Sequence, residues 1–184
     1  MEEKYASIRG IYRDVLKDQN SNVIFDSGWV SNLIVDRCRI LLAAFMKNDQ
    51  NKQTWGISCL KVGQGDEDWD NKGTESPNVL LEGLVDPAPF IIDVADLDIV
   101  YLNETNAEVT EPTCRIQVTA TLGTDQPPPP PSETPETQLS TYPLREFGLF
   151  GKFGDEDYMI DCIRHPVIHK DVSTTLIRVV RLYF

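Results

Sequence analysis

Two histidines and four cysteines are all that this 184-residue chain offers to thiol or soft-metal chemistry. Cys38, Cys59, Cys114 and Cys162 stand far apart, without a C-x-x-C pair and without a histidine beside the first three, so zinc-ribbon and thioredoxin-type spacings are excluded. Each lies among apolar residues, which predicts four reduced, buried thiols in a reducing compartment. Long apolar runs are also missing: none approaches the roughly 18 residues that a membrane helix needs. The opening Met1-Glu2-Glu3-Lys4 has no apolar signal region. These absences predict a cytosolic product with no membrane insertion. Basic residues are few, 17 against 29 acidic ones for a net charge of -12, and no cationic footprint for nucleic acid results.

The acidity is concentrated. Residues 1–61 hold 7 acidic and 9 basic side chains, a charge of +2; residues 62–141 hold 16 acidic side chains against Lys72 and Arg115, a charge of -14; residues 142–184 hold 6 of each. A segment so one-sided repels itself and favours solvated loops or an acidic face that seeks a cation or a basic partner.

The hydropathy pattern predicts a mainly β (α+β) chain forming a single domain over 1–184. Residues 5–16 and Val23-Ile24-Phe25, separated by polar Lys17 to Asn22, read as an opening hairpin. Ile34, Cys38, Leu41, Leu42 and Phe45 fall on one helical face, predicting one packed helix near residues 32–47 with Ser31 or Asn32 as its cap. Period-two alternation then predicts strands over Trp55–Val62, Phe90–Leu102, Thr113–Leu122, Tyr142–Phe150, Tyr158–Arg164 and Thr174–Phe184. Two insertions interrupt them: an acidic loop over 66–78, and a Pro-rich loop over 125–138 whose Pro127 to Pro131 cannot join a sheet. The expected body is an antiparallel β-sandwich-like block carrying these loops.

Asp66-Glu67-Asp68-Trp69-Asp70-Asn71-Lys72-Gly73 places carboxylates at alternate positions, as a calcium loop does. The required glycine is replaced by Asn71 and the bidentate glutamate by Pro77, so a solvated acidic loop is the expectation. His165 and His169 have zinc-helix spacing, but Pro166 lies between them and no H-E-x-x-H glutamate is present. Loop histidines with structural roles are predicted. No G-x-S-x-G occurs, and Gly63-Gln64-Gly65 is too short for a phosphate cradle and reads as a turn. Carboxylates suffice for a glycosidase pair, yet in loops they are usually only solvated. The alternating strand containing Arg178, Val180 and Leu182 and ending at Phe184 puts a cation in phase with apolar residues, which argues against a lipid-facing barrel strand.

Several segments in order resemble structural proteins of contractile phage tails and contractile injection systems, in particular small baseplate or fibre-attachment components. They are Gly10-Ile-Tyr12-Arg13, Trp29 to Asp36 leading into a helix, Leu60-Lys-Val62-Gly63-Gln-Gly65, Leu144-Arg145-Glu146-Phe147-Gly148-Leu149-Phe150-Gly151, His165 to Asp171, and the terminal strand Thr175 to Phe184. The acidic and Pro-rich insertions depart from that pattern, and no long C-terminal shaft follows. The resemblance therefore implies an adaptor, plug or peripheral baseplate subunit rather than a whole fibre.

The expected function is non-enzymatic assembly within a phage-tail-like particle or virion, without a cofactor, catalytic residue or metal. Partners would be other tail or baseplate proteins, with a homo-oligomer, trimeric if fibre-like, as a further option. Assembly residues would be Asp66, Asp68, Trp69, Asp70, Arg145, Glu146 and Phe184, with Phe147 and Leu149 pointing to the core. The alternative is a calcium- or carbohydrate-binding adhesion module using Trp69 and the carboxylates of 66–70.

Overall fold

The computed structural model describes residues 8–46, 55–74, 78–130, 141–153 and 155–184, apart from the side chains of residues 40, 43–46, 55 and 153. Its elements in chain order are β1 (Arg9–Lys17), β2 (Val23–Asp26), β3 (Val30–Ile34), α1 (Asp36–Met46), β4 (Trp55–Gly63), α2 (Trp69–Lys72), β5 (Phe90–Asp93), a 3-10 turn (Val94–Asp96), β6 (Leu97–Leu102), β7 (Glu108–Val109), β8 (Arg115–Leu122), β9 (Thr141–Phe153), β10 (Glu156–Asp171) and β11 (Thr175–Tyr183). The fold is mainly β, and all its strand pairs are antiparallel.

The strands form one curled sheet in the order β5-β4-β9-β10-β3-β1-β11-β8-β6-β7, with β2 paired to β1 beside β3. The hinge of the curl is β3. Its first residues pair with β1 through Tyr12↔Val30, whereas its last pair with β10 through Asp161↔Ile34. Extra residues in β4 and β10, at Ser58, at Ile160 and around His165–Val167, bend the β4–β9–β10 half further, as bulges do. The concave faces then meet in one core. Tyr12, Val180 and Leu182 from one half pack with Leu60, Phe147 and Leu149 from the other, and the Tyr12 and Phe147 rings stand 5.3 Å apart at 76°. Each such apolar side chain removed from water contributes about 1.5–3 kcal/mol.

The opening hairpin is present, though residues 5–7 of its first strand lie outside the described residues. The helix starts at Asp36, and Ser31 and Asn32 belong to β3 instead of capping it. Cys38 and Leu41 are buried beneath α1, which packs on β10 and plugs one end of the curl. Phe90–Leu102 is two strands: the 3-10 turn breaks it, β5 pairs with β4 at one sheet edge, and β6 pairs with β8 near the other. This segment is a crossover between the sheet's two flanks. The acidic loop contains the helical turn α2, and its residues 75–77 lie outside the described residues, as do 131–138 of the Pro-rich insertion. Cys114 is exposed, contrary to expectation, because it precedes β8 beyond the covered face; the other three thiols are buried.

β9 departs most from simple alternation. Every residue from Tyr142 to Gly151 is buried, since residues 78–88 and α2 cover the convex side of β4–β9–β10. Val35, Cys59, Phe150, Met159 and Cys162 form a second apolar cluster there, packed against Leu81 and Leu84. Among the described residues, no helix is long and apolar enough to cross a membrane.

Candidate functional site

The sequence-selected residues of the acidic loop and of β9 come together on that convex face. Arg145 forms a two-pronged bond with Asp70, Nε to Oδ1 at 2.9 Å and Nη2 to Oδ2 at 2.6 Å, and its Nη1 donates to the Gln64 carbonyl at 3.1 Å. The bonded guanidinium holds the Asp70 carboxyl below its ordinary range. Asp66 accepts the Asp68 amide at 2.9 Å, and Lys72 donates to Asp68 at 2.6 Å. Trp69 is 7% exposed, with the Arg164 guanidinium 4.9 Å from its ring centre. The loop is a latch closed by its own Lys72 and by Arg145 of β9.

Glu146 is fully buried and accepts two backbone N–H groups, Asp86 at 2.7 Å and Val85 at 3.1 Å. Burial pushes its carboxyl up, and the two amide bonds counter that. Asp86 in turn accepts from Gln64 N at 2.8 Å and Ala88 N at 2.9 Å. The glycines of Gly63-Gln64-Gly65 permit this closeness. A Cβ at Gly63 would lie 2.8 Å from that of Asp86, and at Gly65, with φ +59°, it would run into the Trp69 ring. The motif is a docking strip for Trp69 and Asp86.

This packing bears directly on the sugar or calcium alternative. A buried Trp69 presents no face for a sugar, and the Asp68 and Asp70 carboxylates already bond Lys72 and Arg145. Arg145 and Glu146, expected as assembly residues, bond within the chain, Arg145 to Asp70 of the acidic loop and Glu146 to the amides of Val85 and Asp86.

A second polar constellation, not selected from the sequence, lies inside the curl. Arg178 on β11 stands directly opposite Asp14 on β1 and bonds it through Nε at 2.6 Å and Nη2 at 2.7 Å. The same Nη2 reaches His165 Nε2 at 3.1 Å. A guanidinium cannot accept, so Nε2 accepts, and Nδ1 carries the proton that it donates to the Pro166 carbonyl at 2.8 Å. Burial and the Arg178 charge push His165 down to about 4. The Phe147 ring closes the other side, 3.6 Å from Arg178 Cζ. Both histidines lie on β10, not in a loop; His165 is buried and His169 exposed.

Asp14 and His165 also line a groove of about 630 Å³ between β2–β3 and the β10 bulge, with Tyr12, Leu16, Phe25 and Val30 among its apolar walls. Along its rim β2 is exposed at all four residues: Val23 and Ile24 are each 56% exposed, and Phe25, Trp29 and Val30 continue the patch. Among the described residues β2 pairs only with β1, which leaves its far edge without a strand partner there. Phe184 sits apart from all of this, 45% exposed beside an apolar cavity of about 450 Å³ at the α1 end of the curl.

Set against protein-family models, curated proteins and solved structures, the chain matches none.

Proposed function

We propose that the protein is a non-enzymatic structural subunit of a contractile, phage-tail-like injection assembly, a baseplate, plug or fibre-adaptor component, and that it works by docking neighbours. The observation that carries this reading is β2: four residues exposed on both faces, one edge without a strand partner among the described residues, and an apolar groove alongside. An extended segment from a neighbouring subunit would add to that edge as a strand. Main-chain hydrogen bonds would give it affinity, and alternate side chains would enter the groove next to Phe25 and Val30. The groove lies within the roughly 300–1,000 Å³ of ordinary ligand clefts.

Three further features support a structural role. Buried ionisable groups, among them Asp14, Arg178, His165 and Glu146, are spent on bonds that tie strand to strand or loop to strand. The ordered segments quoted above, from Gly10 to Phe184, give the resemblance to tail components. The antiparallel, doubly covered β9–β10 hairpin suits a rigid block.

Electron cryomicroscopy of particles purified through a tag on this chain tests the reading. It predicts a copy of this fold within a tail-like particle, with density for an added strand along β2. A map in which β2 faces only solvent would remove the docking site, and recovery of the chain without any particle would remove the function.

A further inference from the structure

The two halves of the curled sheet are joined at β3 by a short seam. Val30, Ser31 and Asn32 pair with β1, whereas only Leu33 and Ile34 pair with β10, opposite Cys162 and Asp161. Past Cys162 the ladder stops, and β3 and β10 part around a wedge of about 280 Å³ lined by Ser31, Asn32, Leu33, Cys162 and Arg164. The wedge shares Tyr12 and Val30 with the groove beside β2, so the two adjoin.

Asn32 spans this seam. Its Nδ2 donates to Asp161 Oδ2 at 2.5 Å, and Asp161 Oδ1 accepts the Leu149 amide of β9 at 2.8 Å. Its Oδ1 is pressed against β1, 2.1 Å from where a Cβ on Gly10 would stand. Asn32 is thus held between one half of the sheet and the other.

Asp161 is wholly buried, and no cation among the described residues bonds it. Arg178 of β11 acts on it from a distance, with Nε and Nη2 already bonded to Asp14 of β1 and His165 of β10. Cys38 of α1 and Cys162 of β10 face it too, but burial pushes these thiols up to about 11 and about 12 and keeps them neutral. Arg164 and Glu146 act on Cys162. A carboxyl so placed favours its neutral form, and burial pushes Asp161 from 3.8 up to about 7.

We propose that Asp161 is a proton-operated clasp on the β3–β10 seam: while it holds its proton β3 stays on β10, and loss of the proton lets the strands part and admits water through the wedge. In the closed state the proton sits on Oδ2, and Asn32, its amide turned, accepts it at Oδ1, which otherwise has no partner among the described residues. Once ionised, the carboxylate regains its hydration only if the seam opens. Opening releases a proton that the closed seam holds, so it becomes easier as pH rises from 3.8 to about 7 and levels off above that. The clasp is independent of the assembly reading and lies beside, not on, the β2 edge.

Native-state alkylation followed by peptide mass spectrometry tests this with the chain's own thiols. Cys162 lies at the seam, Cys59 is buried on β4 and reports global unfolding, and exposed Cys114 corrects for the reagent's preference for thiolate. The Cys162 rate relative to Cys114 should rise by up to about tenfold per pH unit between about pH 5 and about pH 7, because one proton leaves on opening. Cys162 should also react faster than Cys59 at neutral pH, and Asp161→Asn should flatten the rise. In the wild type, amide exchange at Leu33 and Leu149 relative to Val180 of β11 should gain over the same range. A Cys162 ratio that does not change with pH overturns the clasp. Equal reaction of Cys162 and Cys59 at every pH overturns it as well, since the opening would then be that of the whole chain. A folded Asp161→Asn protein that keeps the wild-type slope does the same. Should that variant fail to fold, the wild-type exchange ratio decides alone, and a flat ratio overturns the clasp.

Discussion

Asp14 and Arg178 face each other across adjacent antiparallel strands and are bonded at 2.6 and 2.7 Å, with neither more than 1% exposed. Their attraction in a poorly polarisable interior offsets the cost of taking two charges out of water, and removal of one leaves the other with that cost alone. Arg178→Met or Asp14→Leu alone should therefore destabilise by about 3–5 kcal/mol. The double variant Asp14→Leu/Arg178→Met should recover most of the loss. Urea denaturation of the three proteins measures both effects, and additive losses would show that the pair is not coupled.

Asp161 and His165 should oppose one another in the pH dependence of stability. Burial pushes the Asp161 carboxyl from its ordinary 3.8 up to about 7, against the pull of the Leu149 amide, Asn32 and Arg178. The folded state then holds a proton that the unfolded state has lost, so this group makes stability fall as pH rises from about 4 to about 7. His165, lowered from 6.5 to about 4, does the reverse: the unfolded chain binds the extra proton, and stability rises with pH over that window. The wild-type profile between pH 4 and 6.5 should be nearly flat from these two. Asp161→Asn should make it rise and His165→Gln should make it fall. Asn32 Oδ1, buried without a hydrogen-bond partner, can turn to accept from the new amide, so Asp161→Asn should fold. Chemical denaturation at half-unit pH steps reads the slopes.

The latch over β9 depends on Gly65. Any Cβ there enters the Trp69 ring, and its φ of +59° costs a side-chain-bearing residue more than glycine. Gly65→Ala should lose about 1–3 kcal/mol and shift the emission of Trp69 to the red as the ring is expelled into water. Trp69→Phe in the same background removes the emission change and assigns it. An unshifted spectrum with full stability would contradict the packing of α2 on β10.

Much of the concave side was legible from period two alone. Thr175 to Tyr183 and Arg115 to Leu122 bury alternate residues as read, because only one face of those strands meets the core. The Asp14–Arg178 pair had a visible signal: each charge sits in phase with apolar residues, Asp14 with Tyr12 and Leu16, Arg178 with Leu176 and Val180. What hid it was that pairing of the first and last strands is a long-range fact. Phe90–Leu102 misled because β5 and β6 belong to opposite flanks, and only the short 3-10 turn at Val94–Asp96 separates them. The acidic loop misled for a different reason: the Asp70 carboxylate, which looks solvated in sequence, meets Arg145 only once α2 lies against β9, 75 residues further along the chain.

Glu146 offers a check on that cover. Replacing it with alanine leaves the Asp86 and Val85 amides without their acceptor, and hydrogen bonds to a charged group are worth about 1.5–3 kcal/mol each. Glu146→Ala should lose at least that much and speed hydrogen exchange at residues 85 and 86, with exchange in β11 unaffected at equal stability. Unchanged exchange there would contradict the anchoring role.

The central claim is that the exposed apolar strand Val23–Asp26 docks the chain into a larger tail-like particle. Gradient sedimentation of native lysate, with sheath and tube proteins identified in the fractions, measures this directly when wild type is compared with Val23→Lys/Ile24→Lys. The account predicts wild-type chain in the particle fractions beside those proteins, and the variant, equally stable, at the top of the gradient with free protein. A wild-type chain at 20.8 kDa in the top fractions, or a variant that still travels with the particle, would contradict it.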